Sequence, residues 1–316
     1  MNTKLNYLKW RSLKLTRQIR YALYKKLYRD TDPDIRKNIF VAGTARSGTT
    51  WLSNIIASQL PCRLMFEPFH STKVNAFNQF HYFHYMRPGE DNQELWSFCQ
   101  RIFTGKIRDG WIDRRVERIF PSHRLIKDIR ANLFLKWLHN TFPQIPLLFI
   151  MRHPCAVVLS RMKLDWATDT DIESFLVQTK LVDDFLTDKL DFILQAKTIE
   201  EKHTIIWCIN NMVPIKQFGL DGLNIIFYEN LVRRPEAEIG KISQVINIDF
   251  NRRVHEQFSQ PSTTATWLSS ILTGRDIISH WQTELSTKQI NNILATVKLF
   301  ELDYLYNNST KPLIEV

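Results

Sequence analysis

The window Gly43-Thr44-Ala45-Arg46-Ser47-Gly48 constrains this chain most, because two of only nine glycines in 316 residues fall within six positions. An apolar run, Ile39-Phe40-Val41-Ala42, precedes it, and Thr49-Thr50-Trp51-Leu52 opens a helical pattern after it. Strand, glycine loop and helix together make an anion cradle: loop N–H groups converge on a phosphate, and the helix N-terminus adds partial positive charge. The hydroxyls of Ser47, Thr49 and Thr50 supply further donors. For the window alone, the competing reading is a tight strand-to-helix turn carrying an exposed Arg46. Four more short apolar runs follow: Leu64-Met65-Phe66, Leu125-Ile126, Leu147-Leu148-Phe149-Ile150-Met151 and Asn224-Ile225-Ile226-Phe227-Tyr228. Runs this short and this apolar suit strands covered on both faces. The expected fold is therefore α/β, a P-loop-like parallel sheet flanked by helices.

The net charge of +10 invites a nucleic-acid reading, but its placement argues against one. Residues 1–38 hold eleven Lys and Arg against three Asp, so this segment carries eight of the ten net charges and a basic face elsewhere is not required. From about Leu5 to Tyr28, Leu8, Leu15, Ile19, Leu23 and Leu27 recur at mostly helical spacing, with Arg11, Lys14, Arg17, Lys25 and Lys26 between them. This reads as a basic amphipathic helix. Thr31-Asp32-Pro33-Asp34 then breaks the pattern, giving an expected division into an extension, 1–34, and one main domain, 35–316. No run approaches the roughly 18 apolar residues of a membrane span, and no signal-peptide pattern opens the chain. Cys62, Cys99, Cys155 and Cys208 are scattered without metal-ligand spacing. The expectation is a soluble, cytoplasmic protein without metal, in contact with a membrane surface at most through residues 5–28.

The glycine spacing matches G-x-x-x-x-G-K-[ST] of nucleotide triphosphatases, but Thr49 stands where that loop has its Lys, so the β/γ-phosphate clamp is missing. A second anion site is indicated at the end of the Leu147–Met151 run, where Arg152-His153-Pro154 leads into a helical pattern that places Ser160 roughly two turns in. An Arg at a strand end and a Ser on the following helix can meet one phosphate from two sides.

Arg46-Ser47-Gly48-Thr49-Thr50-Trp51 resembles the 5′-phosphosulfate-binding motif of the sulfotransferases, K-S-G-T-T-W in cytosolic members and commonly with Arg first in carbohydrate-directed ones. The segment from Arg152 through Ser160 resembles the family's 3′-phosphate motif, R-x-P-x-x-x-x-x-S. Tyr228-Glu229-Asn230-Leu231 before Pro235 is similar to the Y-E-D-L…P segment whose Tyr lies near the adenine. Gly274-Arg275-Asp276 partly matches the family's R-K-G loop, which makes Arg275 a further candidate for the 3′-phosphate. The resemblance covers about residues 38–300. It implies 3′-phosphoadenosine 5′-phosphosulfate (PAPS) as donor and a hydroxyl or amine of a glycan, glycolipid or small metabolite as acceptor.

Sulfuryl transfer builds charge on the departing nucleotide's bridging oxygen and needs a destination for the nucleophile's proton. Arg46 is the natural cation for the first task and Lys127, ending another apolar run, is a second candidate. Where cytosolic members place a His base this chain has Ile129, so the base is sought elsewhere. Glu67, after the Leu64–Phe66 run and twenty-one residues beyond Arg46, matches the Glu base of carbohydrate-directed members. Its strand is expected beside the phosphate loop, and its apolar surround is expected to raise its pKa. His70 is the competing base. The aromatic stretch Phe77, Phe80, Tyr82, Phe83 and Tyr85, with His81 and His84, is open between core and an acceptor-binding wall. The alternatives to a sulfotransferase are a P-loop small-molecule kinase and a non-catalytic membrane or partner adaptor.

Overall fold

The five apolar runs form five strands of one parallel sheet in a computed structural model that describes residues 12, 15, 16, 19–251, 254 and 276–315. They are β1 (Asn38–Gly43), β2 (Cys62–Phe66), β3 (His123–Lys127), β4 (Leu147–Met151) and β5 (Ile225–Phe227), in the spatial order β2-β3-β1-β4-β5. Parallel strands need crossover segments, and these carry the helices onto both faces. Side chains alternate accordingly. Phe40, Ala42, Met65, Ile126, Phe149 and Met151 enter one core, whereas Ile39, Val41, Leu64, Leu125, Leu148 and Ile150 enter the other. Helix α1 (Thr49–Gln59) covers the second face through Trp51, Leu52, Ile55 and Ile56. Helices α2 (Pro154–Met162) and α3 (Ile199–Phe218) cover the first.

The expected position of β2 is corrected by this order. It lies at the sheet edge, paired with β3 and not with the phosphate-loop strand β1. The register Leu64↔Leu125 and Arg63↔Arg124 sets two arginines side by side, each almost wholly buried. Asp30 neutralises them, accepting from Arg63 at 2.9 Å and from the Arg124 Nη2 at 2.6 Å, while Asp113 takes Arg63 from the other side.

Residues 19–27 are helical. Successive i, i+4 positions share a helix face, and Leu15, Ile19, Leu23 and Leu27 are all exposed. Tyr28 is instead buried, its hydroxyl donating to Asp113 at 2.9 Å, and Lys25 donates to the Gly110 carbonyl at 3.1 Å. The helix therefore leans on the sheet domain with a polar-aromatic edge and presents its aliphatic stripe outward. Among the described residues no helix is long and apolar enough to cross a membrane. The four cysteines are buried thiols.

Candidate active site

Every strand delivers a candidate residue at its C-terminal end, the edge at which parallel α/β sheets bind ligands. Along the sheet these are Glu67 after β2, Lys127 closing β3, the loop 44–48 after β1, Arg152 after β4 and Tyr228 after β5.

The donor half centres on the glycine loop. Gly48 has φ +100°, and a Cβ there would meet the Tyr228 ring at 2.6 Å, so only glycine lets that ring close over the loop. Arg46 takes a left-handed backbone, φ +73°, unusual for a residue with a Cβ and a mark of a conformation enforced by its surroundings. Its Nε donates to the Ser160 hydroxyl at 2.9 Å, and its carbonyl accepts from Arg152 at 3.4 Å. The two expected anion motifs thus interlock through Arg46, which reaches Ser160 with its side chain and Arg152 with its carbonyl. Arg152 stacks on Tyr228, its guanidinium carbon 4.3 Å from the ring centre. Its strand end is braced by Trp207, whose indole N–H donates to the Arg152 carbonyl, and by buried Glu229, which accepts the His153 N–H at 2.9 Å.

Charge and hydrogen bonding in this half are unbalanced in the way an anion would correct. Burial, and then the neighbouring Arg152, pull the Arg46 guanidinium down to about 10. The buried hydroxyls of Thr44 and Ser47 and the Arg152 Nε have no hydrogen-bond partner among the described residues. Unsatisfied buried donors are costly. Two adjacent guanidinium groups, two orphaned hydroxyls and a glycine cradle fit the paired phosphate groups of a 3′,5′-bisphosphorylated adenosine. Thr49, Thr50 and Trp51 form the buried first turn of α1 behind the loop. Arg275 lies outside the described residues.

The acceptor half holds one carboxylate between two cations. Glu67, also left-handed at φ +47°, accepts from the Lys127 ammonium and from Arg130, both at 2.6 Å. This corrects the expectation of a raised Glu67 pKa: burial does push it up, but Lys127 and Arg130 outweigh burial and hold it at about 2. Burial lowers the Lys127 ammonium in turn, while Glu67 resists that shift. His70 is driven down to about 3 by burial and by Arg130, so it is neutral near pH 7; its ring meets Tyr82 and Trp111 edge-on. Asp128 accepts the backbone N–H groups of Phe69, Arg130 and Ala131, which turns the chain after β3 back toward Glu67.

Arg130 was not foreseen. Its only sequence signal is a second cation three places after Lys127, and nothing in that spacing shows that both reach one carboxylate from another strand. The aromatic stretch resolves mainly as core: Phe77, Phe80, Phe83 and Tyr85 are buried there, and Tyr82 alone of these reaches the site, its hydroxyl accepting from Arg130 at 2.5 Å. Among the described residues no cluster of metal-ligating side chains is present.

The family model described as "Sulfotransferase family" matches residues 38–252. Among solved structures, the chain is similar to the sulfotransferase domain of the Synechococcus PCC 7002 olefin synthase at 16% identity and TM-score 0.46, covering 89% of this chain and 98% of that one. The sulfotransferase domain of the curacin biosynthetic pathway shares 15% identity at TM-score 0.44, covering 83% and 96%. A mouse sulfotransferase complexed with PAP shares 14% at TM-score 0.43, covering 88% and 92%. Among curated proteins none matches.

Proposed function

Because the chain belongs to the sulfotransferase family and is a PAPS-dependent enzyme, we propose that it moves the sulfuryl group of PAPS to a hydroxyl of a glycan, glycolipid or small metabolite, an amine being the second nucleophile of that class. The observation that carries this reading is the donor half itself, where Arg46 and Arg152 offer half-buried positive charge and Thr44 and Ser47 unused donors, with no carboxylate among the described residues paired to either arginine. In the reaction the acceptor oxygen forms a bond to sulfur as the bond from sulfur to the nucleotide's bridging oxygen breaks, and the electron pair stays on the 5′-phosphate. Arg46 and Lys127 neutralise that departing oxygen, and Arg152 and Ser160 hold the 3′-phosphate, with Arg275 as its further candidate and Tyr228 beside the adenine.

The acceptor's proton goes to Glu67. A carboxylate held at about 2 is a poor base toward a resting alcohol. It is nevertheless basic enough for a hydroxyl whose oxygen is already bonding to sulfur and has become strongly acidic. Glu67 therefore acts late, and Lys127 and Arg130 keep it ionised and aimed until then. His70 is the competing base, and its neutral ring serves the acceptor pocket instead. The test is calorimetry with 3′,5′-bisphosphoadenosine (PAP) in EDTA, followed by radiolabelled PAPS against pooled acceptors. Binding without metal and label transfer are expected, whereas tighter binding of ATP with Mg²⁺ than of PAP would overturn the reading.

For location, we infer a cytoplasmic protein that touches an anionic membrane surface through residues 5–28. The outward stripe of Leu15, Ile19, Leu23 and Leu27 and the excess of positive charge in residues 1–38 support this.

A further inference from the structure

Outside the Glu67 carboxylate, the wall of the acceptor half is built of cations laid on aromatic rings. Arg114 lies 4.2 Å from the Trp111 ring centre and 5.5 Å from that of Phe66, and Lys73 lies 6.0 Å from Trp111. Arg115 and Lys127 sit over Phe66 at 4.5 and 4.7 Å, and Arg130 over Tyr82 at 4.5 Å. The wall is joined to the reacting end without a break. Phe66 precedes Glu67, its N–H donates to the Ile112 carbonyl so that the 111–113 segment borders β2, and Trp111 touches both Phe66 and His70.

Of the cations laid on these rings, Lys127 and Arg130 share the Glu67 carboxylate. Among the described residues, the acids of the adjoining segments are committed elsewhere. Asp113 is taken by Arg63 and Tyr28, Asp109 by the N–H groups of Trp111 and Ile112, and Asp128 by three backbone N–H groups. Glu67 itself is saturated by Lys127 and Arg130. Arg114 and Lys73, both exposed at the rim beside the half-buried Trp111, form no ion pair among the described residues. A neutral sugar or alcohol would leave Arg114 and Lys73 uncompensated, whereas a negative charge on the acceptor would be drawn to them and held against a flat ring.

We propose that the acceptor is itself an anion, whose carboxylate, sulfate or phosphate group docks on Arg114 and Lys73 across the Trp111 ring while its hydroxyl lies at Glu67, a reading that rests on the sulfotransferase assignment. The rim cations select the charge, Trp111 carries the flat part of the molecule, and the hydroxyl is the part that reaches inward.

The experiment uses the full chain saturated with PAP, so that the donor anion sites are filled, and two matched probe pairs. These are para-nitrophenyl β-D-glucuronide against the glucoside, and para-hydroxyphenylacetate against para-hydroxyphenylacetamide. Calorimetry is expected to show the charged member of at least one pair binding about tenfold more tightly than its neutral partner. That preference should fall to about twofold or less in Arg114→Gln/Lys73→Gln, with PAP affinity unchanged. Equal affinity within both pairs, no binding of any probe at millimolar concentration, or a preference that survives in the double variant overturns the proposal. Failure of PAP itself to bind would strike the sulfotransferase reading instead, so the two failures are distinguishable.

Discussion

Replacing Glu67 with Gln keeps the shape of the side chain and removes the one charge that balances two buried cations. Lys127 and Arg130 are 4% and 9% exposed, so neither can turn to water when the carboxylate is gone. The Glu67 pKa of about 2, against 4.5 for an ordinary glutamate, corresponds to about 3 kcal/mol of stability at 1.36 kcal/mol per unit. A depressed pKa contributes stability that is present above the unfolded value and is lost as pH falls through the folded one. The wild type should therefore weaken progressively between about pH 5 and pH 2 from this group, and the variant should lack that component. At pH 7 Glu67→Gln is expected to be less stable by about 3 to 5 kcal/mol, the cost of stripping one partner from a buried pair. The gap should narrow by about 2 kcal/mol at pH 3. Urea unfolding at the two pH values measures it. Turnover should drop by about 10² to 10⁴, with PAP affinity retained, and His70→Ala should cost less. A stability gap that does not change with pH, or no gap, would refute the ion-pair argument; near-normal turnover would remove Glu67 as the proton acceptor.

Arg152→Ala should weaken PAP binding by roughly 2 to 4 kcal/mol, since it removes the partly buried guanidinium proposed to hold the 3′-phosphate; unchanged affinity by calorimetry would take Arg152 out of the site. Gly48→Ala should destabilise the fold by about 1 to 3 kcal/mol and weaken PAP binding, because its Cβ meets the Tyr228 ring in a left-handed backbone. A wild-type melting temperature together with wild-type affinity would contradict that geometry. Ile19→Asp/Leu23→Asp should abolish sedimentation with anionic vesicles, and equal sedimentation of variant and wild type would end the membrane reading. Point substitutions suit that test better than truncation at Asp34, which would also remove Asp30 from Arg63 and Arg124.

Much of the geometry around the glycine loop was legible because it is local. A glycine pair, an Arg and a run of hydroxyls between a strand and a helix carry their geometry in consecutive residues. The acceptor half was legible only in its residue types. Glu67 and Lys127 could be picked out as strand-end residues, but the sign of the Glu67 pKa shift depends on Arg130 arriving from sixty-three positions away, which no local pattern encodes. The apolar neighbours Met65, Phe66 and Phe69 pointed toward a raised pKa, and two ion pairs at 2.6 Å overrode them. The aromatic stretch stayed open for a related reason: its spacing is compatible with a core or a wall, and tertiary packing put most of its rings inside.

The corrected strand order explains why these halves can cooperate. With β3 inserted between β2 and β1, the C-terminal edge reads Glu67, Lys127, phosphate loop, Arg152, Tyr228 along one line. Neighbouring strands are about 4.8 Å apart, so β2, which leads into Glu67, lies about 10 Å from β1, which leads into the loop, with β3 and its Lys127 between them. An in-line displacement needs the incoming oxygen, the sulfur and the leaving oxygen in a row, with positive charge near the leaving oxygen and the proton acceptor at the far end. Had β2 paired directly with β1, Glu67 would have lain against the phosphate loop, where a carboxylate repels the donor and leaves no room for an acceptor. The added strand supplies both the distance and, through Lys127, the cation that keeps the carboxylate ionised across it.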